Sequence, residues 1–306
     1  MAMEWAKATE DALRAGKGVP GDSPTLSDLI DRYAKEIARL GSPLSATKRG
    51  NLKRWEESLG DREVATLTAQ DLLDHAARRG ISPATMTMEF GFLAEVLQAA
   101  RSLWNLTIPD VVKAAMPTLR RTGKVGKAIE RDRRPTPEEL KLLADYYRFN
   151  FGKVPMRDIV PFAIETAMRL SEITNLRWED YRPGDKPVIL IRERKDPKDK
   201  RNNSQWVPLL GESAAIIDRQ PKNGPTIFPH KEDTIGASFR RACIRLEIVD
   251  LHFHDLRHEG TSRLFEQGYQ IQEVAIVTGH RDWKSLKRYT NLKPASLHKK
   301  PESPTS

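Results

Sequence analysis

Cysteine is almost missing from this chain of 306 residues: Cys243 stands alone. A single thiol excludes an internal disulfide framework and any multi-cysteine zinc site. Cys243 falls within an apolar helical pattern and reads as a small buried side chain. Long apolar runs are missing too. No stretch reaches the ~18 apolar residues of a membrane-spanning helix, and no secretory signal opens the chain, so a soluble, cytoplasmic protein is expected. The mean hydropathy of −0.58 agrees. Acid is in deficit, with 42 Asp and Glu against 51 Lys and Arg and a formal charge of +9. That excess suits a polyanionic partner, because each Lys or Arg placed on a phosphate releases condensed counterions.

Along the chain, residues 1–23 carry few periodic apolar positions, and Gly16-Lys17-Gly18-Val19-Pro20-Gly21 lies near their end. A short helix around Trp5–Leu13 and a flexible connection are expected, or the stub of a further N-terminal domain. Residues 24–118 read as a small all-helical domain of four helices. Leu26, Leu29, Ile30, Tyr33, Ile37 and Leu40 recur at helical spacing. Further helices run through Ala46–Leu59, from the cap Thr68 to Gly80, and from Ser82-Pro83 to about Trp104. No enzymatic constellation appears there. Residues 119–134 hold seven positive charges and two glycines and read as a basic linker, solvated in part and lying on phosphates in part. Residues 135–293 open with the capping box Thr136-Pro137-Glu138-Glu139. Helical patterns follow at 156–177, 233–246, 254–267, 270–278 and 282–290, with short strands at Pro187–Arg192 and Gln205–Leu209 around a basic hairpin. Residues 294–306 form a tail that either docks on a neighbouring subunit or is disordered. The fold class is therefore mainly α with a small antiparallel sheet (α+β): an all-helical N-terminal domain and a mixed C-terminal one.

The second domain carries five elements in order: Thr166-Ala167-Met168-Arg169-Leu170-Ser171-Glu172; Lys195 at the end of the first strand; His254-Asp255-Leu256-Arg257-His258; Thr278-Gly279-His280; and Lys287-Arg288-Tyr289. Singly each is weak. An Arg-x-x-Glu is a surface pair in most proteins, and one lysine of a charge run, with Lys198 and Lys200 beside it, is usually solvated. His252, His254 and His258 suggest a metal site, but no cysteine or carboxylate at ligand spacing completes it, so neither metal nor cofactor is expected.

Taken as an ordered set, these motifs resemble the tyrosine recombinases, especially phage-type integrases. The resemblance is specific over 135–293 and looser over 24–118, which it implies is a DNA-clamping domain. Two positions depart from the family pattern: Ala167 where it usually has Gly, and Thr278 where it most often has Leu, a change that bears on packing.

The resemblance implies a site-specific DNA recombinase that cleaves and rejoins DNA through a covalent 3′-phosphotyrosine at Tyr289, as in integration, excision or inversion of a mobile element. Arg169 and Arg257 would clamp the phosphate, with planar forks that stay charged at any working pH. Glu172, one turn along a helix from Arg169, would brace it. His254 and the arginines would help the phenol lose its proton, Lys195 would protonate the leaving 5′-hydroxyl, and His280 would donate a hydrogen bond to the phosphate. DNA contacts are expected from Lys48, Arg49, Arg54, Arg120, Arg121, Lys124, Lys127, Lys198, Arg201, Arg240 and Arg241. The implied partners are double-stranded DNA at a specific recombination site, three further copies of the chain in a homotetramer on DNA (a monomer when free) and accessory DNA-bending proteins. A bacterial or phage-encoded, nucleoid-associated protein is expected, with no membrane partner. The alternatives are a type IB topoisomerase, an integrase-derived DNA-binding regulator without catalysis, and a metal-dependent nuclease.

Overall fold

The computed structural model describes residues 23–128, 131–149, 152–194, 203–280 and 283–289. The expected helix around Trp5–Leu13, the hairpin residues Lys195, Lys198, Lys200 and Arg201, and the tail 294–306 lie outside the described residues. The chain divides into two compact units between Glu130 and Arg131.

The first unit is built from helices α1 (Leu26–Arg39), α2 (Ala46–Leu59), α3 (Ala69–Arg78), α4 (Pro83–Trp104) and α5 (Val111–Arg121). Each starts where a short polar side chain accepts an otherwise unpaired backbone N–H: Thr25 from Asp28, Ser45 from Lys48, Thr68 from Asp71, Ser82 from Thr85 and Asp110 from Lys113. Their apolar faces meet around Trp55, whose ring stacks on His75 at 3.9 Å and meets Phe90 edge-on. The Trp55 indole donates to the Glu89 carbonyl at 3.0 Å, which satisfies its one buried polar atom.

Helix α5 corrects the expected count of four helices and the expected linker start. The basic stretch does not leave the unit at 119. The helix continues through Arg120 and Arg121, and both Leu119 and Val125 are buried. Val111, Val112, Ala115 and Leu119 form an apolar stripe, and burying it outweighs the charge of the arginines, which stay exposed on the other side.

The second unit contains α6 (Pro137–Phe149), α7 (Met156–Thr166), α8 (Leu170–Thr174), strands β1 (Tyr181–Arg182), β2 (Val188–Ile191) and β3 (Gln205–Pro208), then α9 (Ser213–Asp218), α10 (Glu232–Arg245), α11 (Phe253–Glu266) and α12 (Ile271–Thr278). The fold is mainly helical with one small sheet. The strands pair antiparallel in the order β1-β2-β3, with Ile189 opposite both Tyr181 and Val207. Ile189, Ile191 and Val207 point into the core. The expected box at Thr136 is present: Glu139 N–H donates to the Thr136 hydroxyl and Thr136 N–H to the Glu139 carboxylate. Strand β1 and helix α9 are additions to the expected elements.

Two expected helices take other forms. The pattern at 156–177 breaks into α7 and α8 at Ala167, which adopts a left-handed φ of 48°. The segment at 282–290 forms 3-10 turns, Trp283–Ser285 and Lys287–Tyr289.

The last three arginines of the basic stretch are fastened to the second unit. Arg131 pairs with Asp250 and Asp255, Arg133 with Glu139, and Arg134 with Glu259 and Glu266. Among the described residues no helix is long and apolar enough to cross a membrane.

Candidate active site

The site grows from the break between α7 and α8. The left-handed turn at Ala167 is a conformation that a Cβ disfavours by ~1–2 kcal/mol, which gives a physical reason for glycine in the family at this position. The turn leaves Arg169 at the N-cap of α8 rather than early within a helix as expected. Glu172 braces it from two sides: Arg169 N–H donates to one carboxylate oxygen at 3.1 Å and the guanidinium to the other at 2.7 Å.

Glu172 is the hub. Arg194, at the end of β2, reaches it with Nε at 3.1 Å and Nη2 at 3.3 Å, and Arg257 approaches to 3.9 Å. Burial alone would raise the Glu172 carboxyl's pKa, but Arg194, Arg257 and Arg169 outweigh it and hold the group below its usual 4.5. Three guanidiniums around one carboxylate leave two positive charges in excess. An anion is the natural complement.

Arg257 sits on α11, which lies tightly against α7 because residue 260 is glycine: a Cβ there would come within 2.1 Å of the Ile164 carbonyl. Its guanidinium donates to the carbonyls of Ala167 at 2.6 Å and Thr278 at 2.8 Å, tying the turn to the end of α12. Burial, then the charge of Arg169, presses it below the usual arginine range. It remains charged, as arginine does.

Gly279 ends α12 with φ 71°, and a Cβ there would fall 2.3 Å from the Arg194 guanidinium. The turn presents His280, with Nε2 3.3 Å from Arg257 Nη2 and Nδ1 2.7 Å from the Thr278 hydroxyl. Burial, then Arg257, Arg169 and Arg194, lowers the His280 pKa to about 3. His254 is lowered to about 4 by its desolvating surroundings, then by His258, Arg257 and Arg169, although its outer edge is exposed. Both imidazoles are therefore neutral near pH 7.

Tyr289 packs against α11. Its hydroxyl contacts His258 Nδ1, and its ring stacks on Phe265. His254, one helical turn before His258, meets that ring edge-on at 5.2 Å.

Of the expected residues, Arg169, Glu172, Arg257 and His280 are thus in direct contact as a chain. His254 and Tyr289 adjoin it through His258, and Lys195 lies outside the described residues. Three contributors escape sequence reasoning. Arg194 is the only basic residue of its run within the described residues that is buried, at 2% exposure. Thr278 reads in the sequence as a change in packing, yet its hydroxyl touches His280. His258 reads there only as a metal ligand, whereas it contacts Tyr289. His252 turns instead toward Asp250 and Asp255, and no metal-ligating group of three is present among the described residues.

Of the expected DNA contacts, Arg49, Arg54, Arg120, Arg121, Lys124, Lys127, Arg240 and Arg241 are exposed. Lys48 does not present its charge outward. It pairs with Glu95 and donates to the Tyr33 hydroxyl at 2.7 Å. Cys243 is buried, which pushes its thiol up to about 11 and leaves it inert.

Residues 133–296 match the phage integrase family. The chain belongs to this family. This phage integrase family member is 32% identical over 287 residues to the shufflon-specific DNA recombinase of Escherichia coli, covering 89% of this chain and 70% of that relative. It is 26% identical over 233 residues to the integrase of Salmonella phage P22, covering 70% and 55%. Among solved structures, the Tn1549 transposon integrase in complex with circular intermediate DNA shares the fold with a TM-score of 0.69 at 17% identity, over 90% of this chain and 98% of that one. The lambda integrase tetramer bound to a Holliday junction does so with a TM-score of 0.69 at 17% identity, over 91% and 82%.

Proposed function

We propose that this chain, as a tyrosine-type site-specific recombinase, breaks and rejoins DNA through Tyr289. The observation that carries the reading is the pair Arg169 and Arg257 on one buried carboxylate, beside His280 and with Tyr289 against the same helix as Arg257. Two fixed guanidiniums suit the non-bridging oxygens of a phosphodiester, where negative charge builds in the transition state.

The Tyr289 oxygen attacks phosphorus in line, and the bond from phosphorus to the 5′-oxygen breaks. The phenol proton passes to His258 Nδ1, the base in contact with it, with His254 behind. Lys195 protonates the departing 5′-oxygen. The resulting 3′-phosphotyrosine keeps the energy of the phosphodiester, so a 5′-hydroxyl from a second duplex rejoins the strand without a nucleotide cofactor. Exchange between two duplexes calls for four copies of the chain. The lambda integrase tetramer on a Holliday junction supports that assembly. Accessory proteins that bend the DNA would assist it.

The test uses a nicked-duplex library of random sequence in EDTA, so that the protein itself selects its site. DNA bound covalently after denaturation is recovered and sequenced. Wild type is expected to enrich one core sequence attached by its 3′ end, and Tyr289→Phe none. Adducts that survive Tyr289→Phe, or a wild type that forms none, would overturn the reading.

A further inference from the structure

Thr278 is fully buried, and its hydroxyl has two partners: the Val274 carbonyl at 2.6 Å and His280 Nδ1 at 2.7 Å. A hydroxyl has one hydrogen to give. The carbonyl can only accept, so that hydrogen belongs to Val274, and the threonine oxygen must accept from His280. The other side of the ring agrees independently. Arg257 Nη2 faces Nε2 at 3.3 Å, and a guanidinium can only donate. Both neighbours therefore call for the same proton placement.

We infer that the Thr278 hydroxyl sets the tautomer of His280, keeping the proton on Nδ1 and leaving Nε2 bare toward Arg257. Thr278 is thus a positioning residue acting through His280. The leucine most often found at this place in the family has no hydroxyl and could not impose the choice. The functional half rests on the reading of His280 as a phosphate-facing group. A bare Nε2 cannot donate to a phosphate oxygen; it must first take a proton from solvent.

Burial opposes that step first in the free protein, and then the charges around the ring: Arg257 on α11, Arg169 at the head of α8 and Arg194 at the end of β2, offset in part by Glu172. A phosphodiester between Arg169 and Arg257 offsets their charges and sets a negative oxygen beside the ring, which favours the protonated form. His280 then gains a proton on Nε2 and donates it as a hydrogen bond. The order is binding first, protonation second.

The full chain labelled with 15N-histidine, free of DNA, tests the tautomer directly through two-bond couplings from ring nitrogens to ring carbon-bound protons. His280 is assigned by its loss in His280→Gln. Wild type and Thr278→Ser are expected to show a protonated Nδ1 and bare Nε2, and Thr278→Val a shift toward protonated Nε2. On the nicked duplex that wild type enriches, Thr278→Val should slow adduct formation roughly tenfold, less than the ~10²–10⁴ of an acid–base group itself, and displace the acid limb of the pH profile. Thr278→Ser should restore both.

Protonated Nε2 in free wild type overturns the inference whether or not any variant folds. So does a Thr278→Val protein with an unchanged tautomer. If the tautomer is as expected but His280→Gln cleaves at the wild-type rate, the phosphate role of His280 falls and the hold of Thr278 on the ring stands.

Discussion

Arg169 and Arg194 meet the same carboxylate but differ in exposure, and the difference separates their expected effects. Arg169 keeps 24% of its side chain open to solvent and spends one N–H of its fork on Glu172. Arg169→Lys keeps the charge and loses the planar fork, so adduct formation should fall about 10²–10³ with little change in thermal melting. Arg194 has no exposed side-chain surface. Arg194→Met leaves Glu172 buried with one partner fewer, which should cost about 3–5 kcal/mol in urea unfolding. A melting curve unchanged by Arg194→Met would remove Arg194 from the hub. The histidines set the acid response. His280 at about 3 and His254 at about 4 lie below the ordinary 6.5, so between those values the unfolded chain binds more protons than the folded one. Stability should therefore fall as pH drops through 6.5 toward 3. Glu172 adds to the loss below 4.5, because its folded pKa is also depressed. The urea midpoint measured across this range checks the sign, and His280→Gln should flatten its upper part.

At the scale of elements, the end of α12 and the end of β2 are one joint. Gly279→Ala would meet both a left-handed φ of 71° and the Arg194 guanidinium at 2.3 Å. It should destabilise by more than the ~1–2 kcal/mol of the backbone effect alone and also cut cleavage, because His280 and Arg194 shift together. A stable and active Gly279→Ala would show that the joint is loose. Helix starts are readable in the sequence because a cap is local: Thr25, Thr68, Ser82 and Thr136 each announce a helix within four residues. Arg194 is not readable for the opposite reason. Strand alternation from Ile189 and Ile191 would carry residue 193 inward and 194 outward. Glu193 adopts a φ of 45°, which reverses the alternation and buries Arg194. Helix α5 is hidden differently: Pro117 interrupts its apolar stripe, and Arg120-Arg121 at its end read as linker. Arg257 and His280 are found by motif order alone, while their contact depends on folds of the chain at Ala167 and Gly279.

For the whole molecule, the excess of nine positive charges is spread unevenly in purpose. Arg131, Arg133 and Arg134 are occupied by carboxylates, whereas Arg120, Arg121, Lys124 and Lys127 are exposed. DNA affinity should fall log-linearly with salt, and Arg120→Ala with Arg121→Ala should lower the slope by up to about 1.8, near 0.9 for each phosphate left without its cation. An unchanged slope in a filter-binding titration would place those arginines off the DNA. The paired arginines have a different consequence. They form a hem along the leading edge of the second unit, so the place to cut the chain is ahead of Arg131 and not at the helix start, Pro137. A fragment beginning at Arg131 carries its own ties to Asp250, Asp255, Glu259 and Glu266, whereas one trimmed to Pro137 loses them. That seam is where a different first unit would be joined.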